Sequence, residues 1–164
     1  MAVTTQKSTE YTNATATPVV NNAPTEEHGR IRVAFFTCTQ DGAGDATSSV
    51  ALCKLPPGRV RILASQSRAY VNWTTSSATL DLGWDAHTDL DGDAVTADPN
   101  GLIDGLDVDT VGFQTLEGAI AANLLTGGTY VLESKDGVVI RATSQDTAIA
   151  DGDDLVGFLM YVLD

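Results

Sequence analysis

Between Leu55 and Gly83 the chain reads LPPGRVRILASQSRAYVNWTTSSATLDLG, and its apolar residues alternate with polar ones. Val60, Ile62 and Ala64 fall on one face of an extended segment, and Arg59, Arg61, Leu63 and Ser65 on the other. Pro56-Pro57-Gly58 opens the stretch, since proline lacks the N–H that a central strand must donate. Gln66-Ser67-Arg68 is rich in turn formers and is followed by a short strand over Ala69–Thr74. Ser76-Ser77 marks another turn, and Thr79–Gly83 a third strand. The spacing predicts an antiparallel meander whose apolar face needs a second layer to cover it.

The flanks supply that layer. Ile31–Thr39 (IRVAFFTCT) is β-branched and aromatic, which predicts a strand. A glycine-rich loop over Gln40–Thr47 leads into a return strand, Ser48–Leu55. Thr129–Glu133 and Val138–Thr143 flank Ser134-Lys135-Asp136-Gly137, and Asp-Gly between alternating runs predicts a hairpin with Gly137 at positive φ. Leu155–Leu163 (LVGFLMYVL) is apolar on both faces, so it belongs in the middle of a sheet or at a subunit interface. Leu106–Thr115 reads as weak strand, and Leu116–Leu125 as one or two helical turns ended by Gly127-Gly128. Eight or nine short strands with turns between them predict an all-β fold, an antiparallel β-sandwich of jelly-roll type. Residues 30–164 form that domain.

Two segments break the pattern. Residues 1–29 are rich in Thr, Asn, Ala and Pro and have no period, so they read as an extended N-terminal arm. Such an arm gains order from a neighbouring subunit or scaffold rather than from its own burial. Residues 84–105 form a long acidic insertion with little periodicity.

Charge sharpens this division. The net charge is −13, and it is unevenly placed. Residues 30–68 carry six basic side chains against Asp41 and Asp45, whereas residues 69–164 carry Lys135 and Arg141 against seventeen acids. A chain this acidic is poorly suited to wrapping nucleic acid. The apolar runs are too short to span a bilayer, and no basic segment followed by an apolar one suggests a secretory signal. Basic and acidic faces are expected to meet between copies or on a partner, with Arg30, Arg32, Arg59, Arg61 and Arg68 as the contact candidates.

Candidate chemistry is sparse. Eight aspartates lie within residues 85–109 with no Lys or Arg among them, and hard cations favour such oxygen ligands. Asp89, Asp91 and Asp93 match the start of an EF-hand loop. The match then fails at Ala94, where glycine is needed, and at Asn100, where a bidentate Glu belongs. A solvated acidic loop is therefore expected, with no metal and no cofactor. His87 sits beside Asp85 and Asp89, but no second His or Cys stands at ligand spacing, and His28 is remote in sequence. There is no G-x-S-x-G elbow and no phosphate-binding glycine motif, so no catalytic residue is assigned and no enzyme is expected. Cys38 and Cys53 could face each other across a hairpin, but reduced, buried thiols are the expectation. Trp73, Trp84 and Tyr70 would suit a sugar-stacking platform, though core or interface anchors are the commoner use.

The run KLPPGRVRIL (Lys54–Leu63), the TLDLGW of Thr79–Trp84, the insertion from Thr88 to Asp109, the LESKDGVVI hairpin and LVGFLMYVLD together resemble small accessory virion proteins of tailed bacteriophages. The type they are most similar to is the capsid decoration, or cement, protein. The resemblance covers residues 30–164 and is a pattern of strands and turns. It implies a β-sandwich that binds the outside of an assembled shell at the virion surface, with the major capsid protein as partner and no catalytic residues. Three copies around a symmetry axis would be the expected assembly. The alternative from another class is a carbohydrate- or host-binding module, calcium-assisted, built on Trp84 and the acidic insertion.

Overall fold

The structure is a computed structural model that describes residues 12–13, 15–18, 20, 30–116, 130–145 and 147–164. Most of the arm, His28, and the expected helix beyond Leu116 lie outside the described residues. The remainder is antiparallel β throughout, in two main sheets. The strands are β1 (Ile31–Thr39), β2 (Ser49–Leu55), β3 (Gly58–Ile62), β4 (Arg68–Val71), β5 (Thr79–Trp84) and β6 (His87–Thr88). They continue with β7 (Ala94–Val95), β8 (Asp98–Asp107), β9 (Gly112–Thr115), β10 (Tyr130–Ser134), β11 (Val138–Ser144) and β12 (Asp154–Leu163).

β12 organises the six-stranded sheet. One of its edges pairs with β1 over the whole run from Ile31↔Val162 to Thr39↔Asp154. Its other edge is shared: β4 pairs with Leu155–Phe158, and β3 with Tyr161–Leu163. β10 then pairs with β3, and β9 with β4. The second sheet has four strands in the order β2-β11-β5-β8. In β11 burial alternates strictly, with Val138, Ile140, Ala142 and Ser144 inward, as a strand with one solvated face requires. Leu55, Leu80, Leu82, Ile103 and Ile140 of this sheet meet Val60, Ile62, Val71, Leu155 and Leu159 of the other in a single core. This is the β-sandwich expected from the strand pattern.

Local sequence misleads about pairing. The meander over Leu55–Gly83 is not one: β3 and β4 lie end to end along β12, and β5 belongs to the other sheet. A single 3-10 turn, Ala64–Gln66, carries the chain from β3 to β4. Ser67, fully buried, pins this step: its Oγ donates to Leu63 O (3.0 Å) and accepts from Met160 N (2.9 Å). β1 and β2 likewise sit in different sheets, so Cys38 and Cys53 do not face each other across a ladder; both are free. Burial pushes the Cys53 thiol up to about 11, which keeps it unreactive.

The insertion is more regular than its composition suggests. It holds the small β6–β7 hairpin and the ten-residue edge strand β8. Bulges in the β5–β8 ladder absorb irregular residues such as Pro99. Gly83 is required here, because a Cβ would lie 1.8 Å from Asp98 O.

The Asp136-Gly137 turn also differs from expectation. It links β10 and β11 across the two sheets rather than within one ladder. Gly137 has φ +87°, and a Cβ there would lie 2.3 Å from Leu55 O. Gly137→Val therefore meets both a conformational and a steric penalty, and is expected to destabilise the fold by more than about 1 kcal/mol. An unchanged midpoint in urea unfolding would refute this account of the turn.

Candidate assembly surface

The outward face of the six-stranded sheet is apolar where solvent should meet it. β1 exposes Ile31, Val33 and Phe35, while Ala34, Phe36 and Cys38 turn inward. On β12, Val156, Phe158 and Met160 stand opposite Thr37, Phe35 and Val33. Two cross-strand rows result. Phe35, Phe158, Arg68 and Thr115 form one, and Thr37, Val156, Tyr70 and Phe113 the other. The rings of Phe35 and Phe158 lie 5.9 Å apart, and those of Tyr70 and Phe113 meet edge to face at 5.4 Å.

Between these rings lies a shallow hollow of about 380 Å³, lined by Phe35, Arg68, Tyr70, Phe113, Val156 and Phe158 with Gly157 as its floor. Phe35 is 75% exposed and Phe113 78% exposed. Covering the exposed part of two such rings, at roughly 25 cal/mol per Å² and about 150 Å² each, would yield on the order of 7 kcal/mol before association costs. β1 adds a second feature. Among the described residues it pairs only with β12, which leaves a nine-residue edge open. Long apolar edges are normally blunted or paired.

The five arginine candidates separate into two groups. Arg59 pairs with Glu133 (3.3 Å) and with Asp164 (3.5 Å), and Arg61 reaches Asp164 at 3.9 Å. These two tie β3 to β10 and to the end of β12. Arg30, Arg32 and Arg68 are exposed and make no ion pair with the described residues. Among the described residues Arg68 is the one charged side chain lining the hollow.

Several acids in and around the insertion accept hydrogen bonds from backbone N–H groups. Asp89 Oδ1 accepts from Gly92 N and Asp93 N, both at 2.8 Å, closing the β6–β7 turn. Those N–H groups hold its carboxyl below the usual carboxylate range. Asp81 accepts from Gly105 N (2.9 Å), and Asp109 from Ser77 N (2.7 Å). Among the described residues no three His, Cys, Asp or Glu side chains gather as a metal site needs. Asp91 and Asp93 therefore do not join Asp89 in a ligand set there. His87 Nδ1 lies 3.0 Å from Asp85 O, a backbone contact and not an acid–base pair.

Asp85 instead pairs with Arg141 through two parallel bonds, Nε–Oδ1 at 2.6 Å and Nη2–Oδ2 at 2.7 Å. Arg141 also donates to Ser49 Oγ (3.2 Å), so it staples β2, β11 and the end of β5 on the outer face. The hydrogen bonds from Arg141 hold the Asp85 carboxyl below its ordinary value, and Asp85 raises that of Arg141. The aromatic trio is dispersed: Trp73 is buried in the core, Tyr70 lies on the outer sheet face, and Trp84 packs edge to face on Tyr130 at 5.8 Å. Tyr130 in turn donates its hydroxyl to Gly101 O. No sugar platform forms from the three.

Phe113 and Val111 went unseen in the sequence because Gly112–Thr115 is short and follows aspartates. The usable signal lay in β1, where both alternating sets are apolar although only one can face the core.

The class defined by these features is a two-sheet antiparallel sandwich with one apolar sheet face left open. No family model matches the chain, and no curated protein does. Among solved structures it is similar to a chain of the cyanophage Pam1 capsid asymmetric unit, with a TM-score of 0.55, 15% identity, and coverage of 91% of this chain and 96% of that one. This likeness is one of fold. Weaker likenesses are found to the acidic stable capsid of Helicobacter pylori bacteriophage KHP30 (TM-score 0.43, 13% identity, 82% and 94% covered) and to infectious bursal disease virus Gt strain (0.45, 10%, 82% and 33%).

Two outcomes follow from this geometry. Phe113→Ser removes a ring that already faces water, so stability should stay within about 0.5 kcal/mol while binding of a hydrophobic dye falls; a large drop in melting temperature would mean the ring is packed. The Asp85–Arg141 pair contributes fully above an ordinary carboxylate pKa of about 4 and is lost as pH falls through the lowered value. Both side chains are about one-third exposed, which keeps the contribution to about 1 kcal/mol or less. Asp85→Asn should melt below the wild type at pH 7, with the gap closing as pH is lowered toward 3. A gap that widens in acid would contradict it.

Proposed function

We propose that this protein is a structural component of a bacteriophage virion, which binds the outer surface of the capsid and stabilises it. The observation that carries the reading is the open apolar sheet face with Arg68 at its centre. A contiguous apolar face of this kind marks a surface that a partner covers. The fold shared with a chain of a cyanophage capsid asymmetric unit supports a virion setting. The arginines on and beside β1 support contact with an acidic surface, whether on the major capsid protein or on other copies. Residues 1–29 serve as a docking arm in this reading, and three copies around a symmetry axis are the expected arrangement, since closed cyclic symmetry is common for identical subunits. No catalytic or cofactor role is assigned.

The test is co-sedimentation of the full chain, and of a chain lacking residues 1–29, with purified shells across a salt series. The full chain should bind, and its attachment should weaken as salt screens exposed arginines beyond ~8 Å. The arm carries few charges, so its contribution should change less with salt. Equal binding by both chains at every salt concentration would remove the arm from the interface. Failure of both to bind any shell would sink the decoration reading.

A further inference from the structure

Eight large hydrophobic side chains are exposed among the described residues. Six of them, Ile31, Val33, Phe35, Val111, Phe113 and Val156, lie on β1, β9, the segment before β9, and β12, around or beside the hollow. Val20 belongs to the arm. The eighth, Leu90, stands apart at the tip of the β6–β7 hairpin and is 42% exposed. We infer that the hollow receives this hairpin tip from a second copy of the chain, with Leu90 as the inserted side chain. The inference deepens the reading of the open face as an assembly surface by naming its occupant.

The tip is built as a rigid knob. His87↔Val95 and Thr88↔Ala94 pair at its base. Asp89 closes its turn with two side-chain bonds and one backbone bond, Asp89 N to Asp93 O at 3.0 Å. Lys135 N donates to Thr88 O (3.0 Å), tying the hairpin to the β10–β11 turn. A loop ordered in advance loses little entropy on docking. An apolar knob fits an apolar hollow, and the charges around each are opposite in sign. Leu90 is flanked by Asp89 and Asp91, with Asp93 close by, against the single cation Lys135 at the loop. Among the described residues the hollow holds Arg68 and no acid. Two copies meeting hollow to hollow would instead bring Arg68 side chains together.

Placement sets the geometry of the contact. The knob lies beside β10, next to the half of β12 that pairs with β3; the hollow lies over β12, β4 and β9, at the other half. The two patches are separate surfaces, set against different halves of β12. Contact between different patches on identical subunits is head to tail; it closes into a ring where the rotation between neighbours permits, which is the outcome consistent with the cyclic arrangement proposed above.

Sedimentation velocity on the full chain without shells tests this. Wild type should assemble with rising concentration into a closed oligomer. Leu90→Ser and Phe113→Ser should each weaken assembly at least tenfold while melting like the wild type. Each variant keeps one intact patch, so mixing the two should give a one-to-one dimer that grows no further. Arg68→Glu should weaken assembly, and adding Asp91→Arg to the same chain should restore it. A wild type that stays monomeric at every concentration overturns the inference. So does assembly that survives Leu90→Ser unchanged, including the case in which only Phe113→Ser abolishes it, which would assign the hollow another occupant. Shell binding is read separately: a chain that forms rings but ignores shells keeps this inference and loses the decoration reading, and the reverse result does the opposite.

Discussion

Ten residues, Asp154–Leu163, hydrogen-bond to three other strands, and the six-stranded sheet exists only through them. β1, β3 and β4 pair with β12 directly, while β10 and β9 are held at one remove. The strand is apolar on both sides. Leu155, Leu159 and Tyr161 enter the core, and Val156, Phe158 and Met160 face out. One decision of sequence thus fixes the sandwich and also leaves its outer face apolar. The hollow is the external side of the same strand that closes the core. Gly157 touches both: its backbone lines the hollow, while a Cβ there would point inward, 2.3 Å from Arg68 O and 2.7 Å from Phe36 Cζ, so its absence lets β4 and Phe36 approach.

The acids serve a different purpose from the one their density suggests. Asp81, Asp89 and Asp109 each accept a hydrogen bond from a backbone N–H. Asp153, 4% exposed, does the same inside the fold, accepting from Thr74 N (3.1 Å) and Ala150 N (3.0 Å) just before β12. Carboxylates with two or more such partners act as turn closures. Part of the chain's negative charge thus serves its connections, and Arg30, Arg32 and Arg68, which make no ion pair with the described residues, stand out against it.

β-branched and aromatic content made β1 legible as a strand, an unbroken apolar run did so for β12, and alternation beside Asp136-Gly137 for β11, and the fold class came with them. Pairing was not legible. β3, β4 and β5 follow one another in sequence with turns between, yet none pairs with the next: β3 and β4 take β12, more than eighty residues on, and β5 takes β8 and β11. The Asp136-Gly137 turn was located correctly and its glycine has the expected φ. Its strands then diverge into separate sheets, which the turn residues alone do not encode. β8 was hidden by Asp, Gly and Pro, because an edge strand tolerates bulges that a central one would not. The open face was half legible: the doubly apolar β12 raised an interface as one of two explanations, but the aromatic ring that completes the hollow, Phe113, sits on a four-residue strand with no readable period.

The pairing of Thr39 with Asp154 spans 115 residues. At a synthesis rate of roughly 5–20 residues per second, β1 leaves the ribosome on the order of ten seconds before its partner does. During that interval Ile31, Val33 and Phe35 sit on a strand with neither edge satisfied and neither face covered. Non-local pairing of this kind also slows folding once the chain is complete. The same strand that gives the finished molecule its adhesive edge is thus the segment most exposed to premature association in the cell. A delay built into the order of the strands, rather than any weakness of the native core, sets the hazard in making this protein.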